Sequence, residues 1–155
     1  MRGAIIYGPR DIRFEERPDP AITEPSDAIV RTVATCVCGS DLWRHRGIEE
    51  VSRPTPIGHE YVGVVEAVGD EVSTVNPGQF VVGGFLTSDN TCPICKVGAH
   101  ADCQRVTGYD GCQAELIRVQ NAAHDAMDTC APNSFRMLRL PDPQPSGSVE
   151  GMAFG

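Results

Sequence analysis

Gly58-His59-Glu60-Tyr61-Val62-Gly63-Val64-Val65-Glu66-Ala67-Val68-Gly69-Asp70-Glu71-Val72 is the stretch on which the fold turns. Its centre, Glu60–Val68, is rich in β-branched residues and predicts a strand. Gly63 within it predicts a bulge or a close backbone approach. Downstream, Asn76-Pro77-Gly78 marks a turn before a strand over Gln79–Phe85. Upstream, Ala28–Val37 is the clearest strand, followed by a short helix over Ser40–Arg46 that ends at Gly47. Met1–Tyr7 and Asp11–Glu16 flank Gly8-Pro9 as further strands, and Ala114–Val119 is the last. Many short strands punctuated by Gly and Pro predict a mainly β domain over residues 1–119, built as a partly open barrel. Residues 120–155 keep neither helical nor strand period, and Pro132, Pro141, Pro143 and Pro145 interrupt them. An irregular, poorly ordered tail is expected there.

The 155 residues suit one domain with a real core. A net charge of -8 disfavours nucleic acid and anionic membrane surfaces as partners, because both select a basic face. No apolar run approaches the roughly 20 residues of a membrane span. The N-terminus lacks the apolar core of a secretory signal. Seven cysteines, an odd number, fall at metal-ligand spacings rather than as a disulfide framework. The expected compartment is the reducing cytoplasm.

The strongest local pattern is Asp89-x2-Cys92-x2-Cys95-x7-Cys103. Two cysteines two residues apart grip one tetrahedral ion, Cys103 adds a third thiolate, and Asp89 is placed to add a carboxylate oxygen. Zinc accepts that mixture because its filled d shell imposes no geometry. A redox C-x-x-C pair is the competing reading, and His100 competes with Asp89 as the fourth ligand. A second constellation comes in two pieces, Cys38-Gly39-Ser40-Asp41 and Gly58-His59-Glu60. One thiolate and one imidazole suit a metal with an open position, with Asp41 orienting His59 from behind. A buried structural pair fits the same two residues. Cys36 and Cys112 read as small core residues.

The longer string weighs against that structural pair, since it satisfies G-H-E-x2-G-x5-G-x2-V at every fixed position. It resembles the zinc signature of the zinc-dependent medium-chain alcohol dehydrogenases. The neighbours agree in order: CGSD at Cys38–Asp41, the N-P-G turn, the lobe SDNTCPICKVGAHADC, then GCQAEL. The resemblance covers approximately Met1–Val119. It implies a GroES-like barrel, the family's N-terminal catalytic domain, with a zinc-binding cysteine lobe. By family role, Cys38 and His59 would hold a catalytic zinc, Glu60 would be an inner-sphere or exchanging carboxylate, and Ser40 would take the alcohol's proton. Asp89, Cys92, Cys95 and Cys103 would hold a structural zinc. The implied reaction interconverts a small alcohol and an aldehyde or ketone with NAD(P), in a full-length family that forms homo-oligomers.

Several positions depart from the family pattern. Asp89 stands where most members have a fourth cysteine, and Trp43 where many have a relay histidine, with His45 as the nearest substitute. The family's third catalytic ligand, a Cys or Asp further along, has no match here; Asp128 and Cys130 are available, but their surroundings do not resemble the family. No strand-to-helix glycine turn offers a nucleotide site, since Gly147, Gly151 and Gly155 follow a proline-rich stretch. No cofactor-binding residue is therefore assigned, a truncated or frame-shifted reading frame is expected, and so is inactivity of the isolated chain. The alternative is a zinc-stabilised binding or scaffold module without catalysis. A zinc-free enone reductase is disfavoured by the presence of both ligand sets.

Overall fold

The computed structural model of the chain describes residues 1–89, 91–108, 110–122 and 138–139. The strands are β1 (Arg2–Gly8), β2 (Asp11–Glu16), β3 (Ala28–Thr35), β4 (Thr55–Pro56), β5 (Tyr61–Val68), β6 (Phe80–Gly83), β7 (Leu86–Thr87), β8 (Thr107–Gly108), β9 (Leu116–Val119) and β10 (Leu138–Arg139). Two short helices, α1 (Asp41–His45) and α2 (Pro93–Lys96), and a 3-10 turn over His100–Asp102 complete the described elements. The expected strands and the helix at Ser40–Arg46 are all present, with ends shifted by a few residues. The two-residue strands β4, β7 and β8 and the single turn of α2 are too short to carry a period that sequence can show.

The strands pair antiparallel into a five-stranded sheet, β10-β6-β5-β3-β9, a three-stranded sheet, β2-β1-β4, and the pair β7-β8. The two larger sheets meet where Gly3 bridges Ala114, beside the Ala4 N–H to Gln113 carbonyl bond of 2.8 Å. The sheets do not close into a full barrel; a main core around Val30, Val65 and Val81 and a smaller one of Ala4, Ile6 and Ile57 lie against them. Apart from β10, residues 123–155 lie outside the described residues, and with them most of the expected irregular tail.

Period-2 alternation sets the core. On β5, Tyr61, Gly63 and Val65 face inward, and on β9 Ile117 and Val119 do the same. Val30, Val65 and Val81 are fully buried, on β3, β5 and β6 respectively. Each such side chain contributes about 1.5–3 kcal/mol relative to exposure. Gly63 meets its expectation on both counts. The β3–β5 register slips between Thr32 and Ala34 opposite it, and a Cβ there would stand 2.4 Å from the Arg31 carbonyl oxygen. The start of β3 is fixed by buried Asp27, whose Oδ2 accepts the N–H groups of Thr23 (3.0 Å) and Glu24 (2.8 Å) and Arg118 Nε (2.7 Å).

Cys36 corrects the sequence reading. The strand stops at Thr35, so Cys36 leaves the sheet and is exposed instead of joining the core. Cys112 is buried in the main core, as expected. Among the described residues no helix is long and apolar enough to cross a membrane.

Candidate metal centres

Between β6 and β9 the chain makes an excursion, the lobe, whose neck is the β7–β8 pair, Leu86 opposite Gly108 and Thr87 opposite Thr107. Within it Cys92 caps α2, with Pro93 in the first turn, where a missing N–H costs nothing. One turn of helix then brings the Cys95 sulfur to 3.5 Å from that of Cys92. Asp89 Oδ1 accepts the N–H groups of Thr91 (3.0 Å) and Cys92 (3.1 Å) and faces the sulfurs of Cys95 (3.6 Å) and Cys103 (3.4 Å). The four side chains are buried, and their ligand atoms lie within 4.8 Å of one another.

That spacing tests the fit of a metal. A tetrahedral zinc with sulfur at about 2.3 Å and oxygen at about 2.1 Å requires ligand edges of roughly 3.6–3.8 Å. The edges Cys92–Cys95, Cys95–Asp89 and Cys103–Asp89, at 3.4–3.6 Å, match to within a few tenths of an ångström, and every edge is within 4.8 Å. His100 is not in the group, so Asp89 is the fourth member.

The electrostatics favour the charged ligand form at Cys92 and Asp89 and oppose it at Cys95. Backbone N–H groups of Gln104 and Cys95 pull the Cys92 thiol down to about 7, while burial, with Cys92 and Cys103 alongside, pushes Cys95 up to about 12. Burial works to raise Asp89, but the N–H groups of Thr91 and Cys92 prevail and hold its carboxyl well below the usual range. Arg105 Nη1 lies 3.4 Å from its other oxygen.

The second constellation assembles at the start of α1 and the loop entering β5. Gly58 has φ +95°, and a Cβ there would stand 2.6 Å from the Gln113 backbone nitrogen; that close approach sets His59 beside α1. His59 Nε2 lies 3.2 Å from Ser40 Oγ, and Nδ1 lies 3.5 Å from Asp41 Oδ1. Asp41 Oδ2 accepts the Cys38 N–H at 2.9 Å. The Ser40 hydroxyl, then its backbone N–H and His59, hold the Cys38 thiol below its ordinary value. Phe85 meets the His59 ring edge-on at 6.3 Å. Ser40, Asp41, His59, Phe85 and Leu86 line a cavity of about 410 Å³.

Glu60 lies elsewhere. Its Oε2 accepts the Cys36 thiol at 2.7 Å, its carboxylate raises that thiol to about 11, and it lines a separate cavity of about 480 Å³ with Tyr61 and Val82. Among the described residues, the lobe is the one place where three or more potential ligands converge, so Cys38, His59 and Glu60 do not form such a group. Trp43 is exposed and does not line the His59 cavity. Asp128 and Cys130 lie outside the described residues.

Sequence reasoning missed two features of this region. The Cys36–Glu60 contact follows from the register of the folded sheet, where Thr35 pairs with Tyr61, and the sequence alone carried no signal for it. Arg44 also lines the His59 cavity, with Glu49 and Asp110. Its signal was its spacing, four residues after Ser40 at the head of a helix.

The alcohol dehydrogenase GroES-like domain matches residues 24–128. The chain is 38% identical over 127 residues to zinc-type alcohol dehydrogenase B of Aspergillus flavus, covering 79% of this chain and 30% of that protein. It is 40% identical over 125 residues to a medium chain reductase/dehydrogenase of Acremonium sp., covering 77% and 43%. The alcohol dehydrogenase TADH from Thermus sp. ATN1 superposes with a TM-score of 0.75 at 34% identity, covering 79% and 38%. The chain thus spans less than half the length of each of these relatives.

Proposed function

The chain belongs to the medium-chain alcohol dehydrogenase family through its GroES-like domain, and on that premise we propose that it is the zinc-binding catalytic domain of an oxidoreductase interconverting an alcohol and a carbonyl compound with NAD(P). The observation that carries the reading is the Ser40–His59–Asp41 line in an open cavity, with the Cys38 thiol hydrogen-bonded to Ser40 and His59. Asp41 anchors His59 Nδ1 and leaves Nε2 directed at the cavity side of Ser40, which is how a ligand imidazole is oriented. Cys38 and His59 would hold the metal, and hydrogen bonding already favours the Cys38 thiolate that ligation needs. Bound there, zinc supplies Lewis acidity at the substrate oxygen. Ser40 Oγ would take the substrate's hydroxyl proton in oxidation as its own proton passes to water in the open cavity, and the transfers would run backwards in reduction. Glu60, which accepts the Cys36 thiol, would be the exchanging carboxylate of that metal. Asp89, Cys92, Cys95 and Cys103 would hold a second, structural zinc, which would stabilise the lobe. The nicotinamide is bound outside residues 1–119, so the isolated chain turns over no alcohol.

Cobalt substitution tests the assignment. Two cobalt ions should bind, and His59→Ala should remove the absorption of one while sparing the thiolate charge-transfer bands of the lobe. A graft of residues 1–119 onto the remainder of an active relative should oxidise alcohols, and His59→Ala should abolish that. Activity surviving His59→Ala in the graft would sink the catalytic reading.

A further inference from the structure

Arg44 follows Ser40 by one helical turn, so α1 presents both side chains on one side, and both line the cavity that holds His59. Its guanidinium is held from two sides. Nε donates to Glu49 Oε1 at 3.0 Å and Nη1 to Asp110 Oδ2 at 3.0 Å, so two carboxylates from separate loops are pinned in the cavity wall. One guanidinium between two carboxylates leaves that wall with one net negative charge. Among the described residues, the side-chain hydrogen bonds of Glu49 and Asp110 all run to Arg44 through those two oxygens. The second oxygen of each carboxylate therefore remains an acceptor. Phe85 and Leu86 give the same cavity an apolar flank.

We infer that Glu49, Arg44 and Asp110 form the specificity wall of this cavity, selecting alcohols that carry a second hydrogen-bond donor and turning away alcohols that carry a carboxylate. The inference rests on the reading of Ser40 and His59 as the reacting end of the cavity. A short carbon skeleton lies against Phe85 and Leu86, its reacting hydroxyl at Ser40, its second donor on the carboxylates. A hydroxyl or an ammonium group supplies that donor equally well in kind, and the net charge favours the ammonium. A substrate carboxylate meets an Arg44 whose charge two carboxylates already offset, and the net negative charge of the wall opposes its approach. A wall of acceptors also penalises an alcohol with no second donor, because its oxygens lose water without replacement.

Four small molecules share one secondary alcohol and differ only in the neighbouring group: 2-propanol, 1,2-propanediol, 1-amino-2-propanol and lactate. Titrated into the zinc-loaded and the metal-free chain, each is followed by the amide resonances of Ser40, Arg44 and Gly108. The diol and the amino alcohol should bind about three- to tenfold tighter than 2-propanol, with lactate weakest. A further advantage of the amino alcohol identifies an ammonium as the preferred donor, and equality identifies a hydroxyl. The double variant Glu49→Gln/Asp110→Asn should erase the order and let lactate bind as well as 2-propanol. Lactate equal to or tighter than the diol in the unaltered chain overturns the inference, whether or not the variant folds. So does the absence of any response to all four molecules. The order in the metal-free chain is independent of the cobalt result, so failure of the zinc reading and failure of the wall are distinguishable.

Discussion

Asp27 has 1% of its surface exposed and holds two backbone N–H groups and Arg118 at once. Burial works against its charge, but Arg118 and the N–H groups of Glu24 and Thr23 outweigh it and lower its pKa. The stabilisation this implies is fully present above the ordinary aspartate value of about 3.9 and is lost as pH falls through the depressed folded value. Asp27→Asn should cost about 1–3 kcal/mol in urea unfolding near neutral pH, and the gap between variant and parent should shrink in strong acid. A gap that stays constant would mean that packing, not charge, holds the start of β3. Gly63 gives the complementary test of shape. Gly63→Ala places a methyl 2.4 Å from the Arg31 carbonyl oxygen and should cost about 1–3 kcal/mol, read as a lowered Tm with an unchanged m-value. Gly63 was legible in the sequence because only a backbone constraint explains a glycine inside so apolar a strand. Cys36 was not, because where a strand stops depends on whether a neighbour is there to pair with it.

The lobe was legible because its ligands are contiguous and its chemistry is carried by spacing alone. Its Cys95→Ser variant should lose the bound metal and melt lower, as metal analysis and calorimetry would show; a variant keeping both would refute the site. The thiols also set a direction with pH. Cys92 at about 7 and Cys95 at about 12 must shed protons to bind, so zinc affinity should fall on acidification, and more steeply below about pH 7, where Cys92 also carries its proton. Chelator competition across that range checks the slope. The site at α1 was only half legible. Ser40 and His59 lie nineteen positions apart, and it was the family pattern, not the spacing, that put them together. Of the Glu49–Arg44–Asp110 wall only Arg44 left a signal, its spacing from Ser40; Asp110 lies sixty-six positions from Arg44 and reaches it only through the fold of the lobe's return.

Across the whole molecule, the proposed separation of zinc chemistry from nucleotide binding predicts that the chain gives no saturable NAD(P)H fluorescence titration, even when loaded with both metals. Saturable micromolar binding would place a nucleotide site where the proposal has none. The lobe's narrow neck has a further consequence, for the order of events in folding. Its ladder closes between Leu86 and Gly108, whereas joining β3 to β9 brings Ala28 against Val119 across most of the described chain. Short-range closure is fast and long-range pairing slow. The lobe should therefore gather its thiolates before the sheet is complete, with the amides of Lys96 and Gly98 protected from exchange earlier than those of Val30 and Ile117. Metal supply would then act while the polypeptide is still being made, and a zinc-starved cell would lose this protein at birth rather than in service.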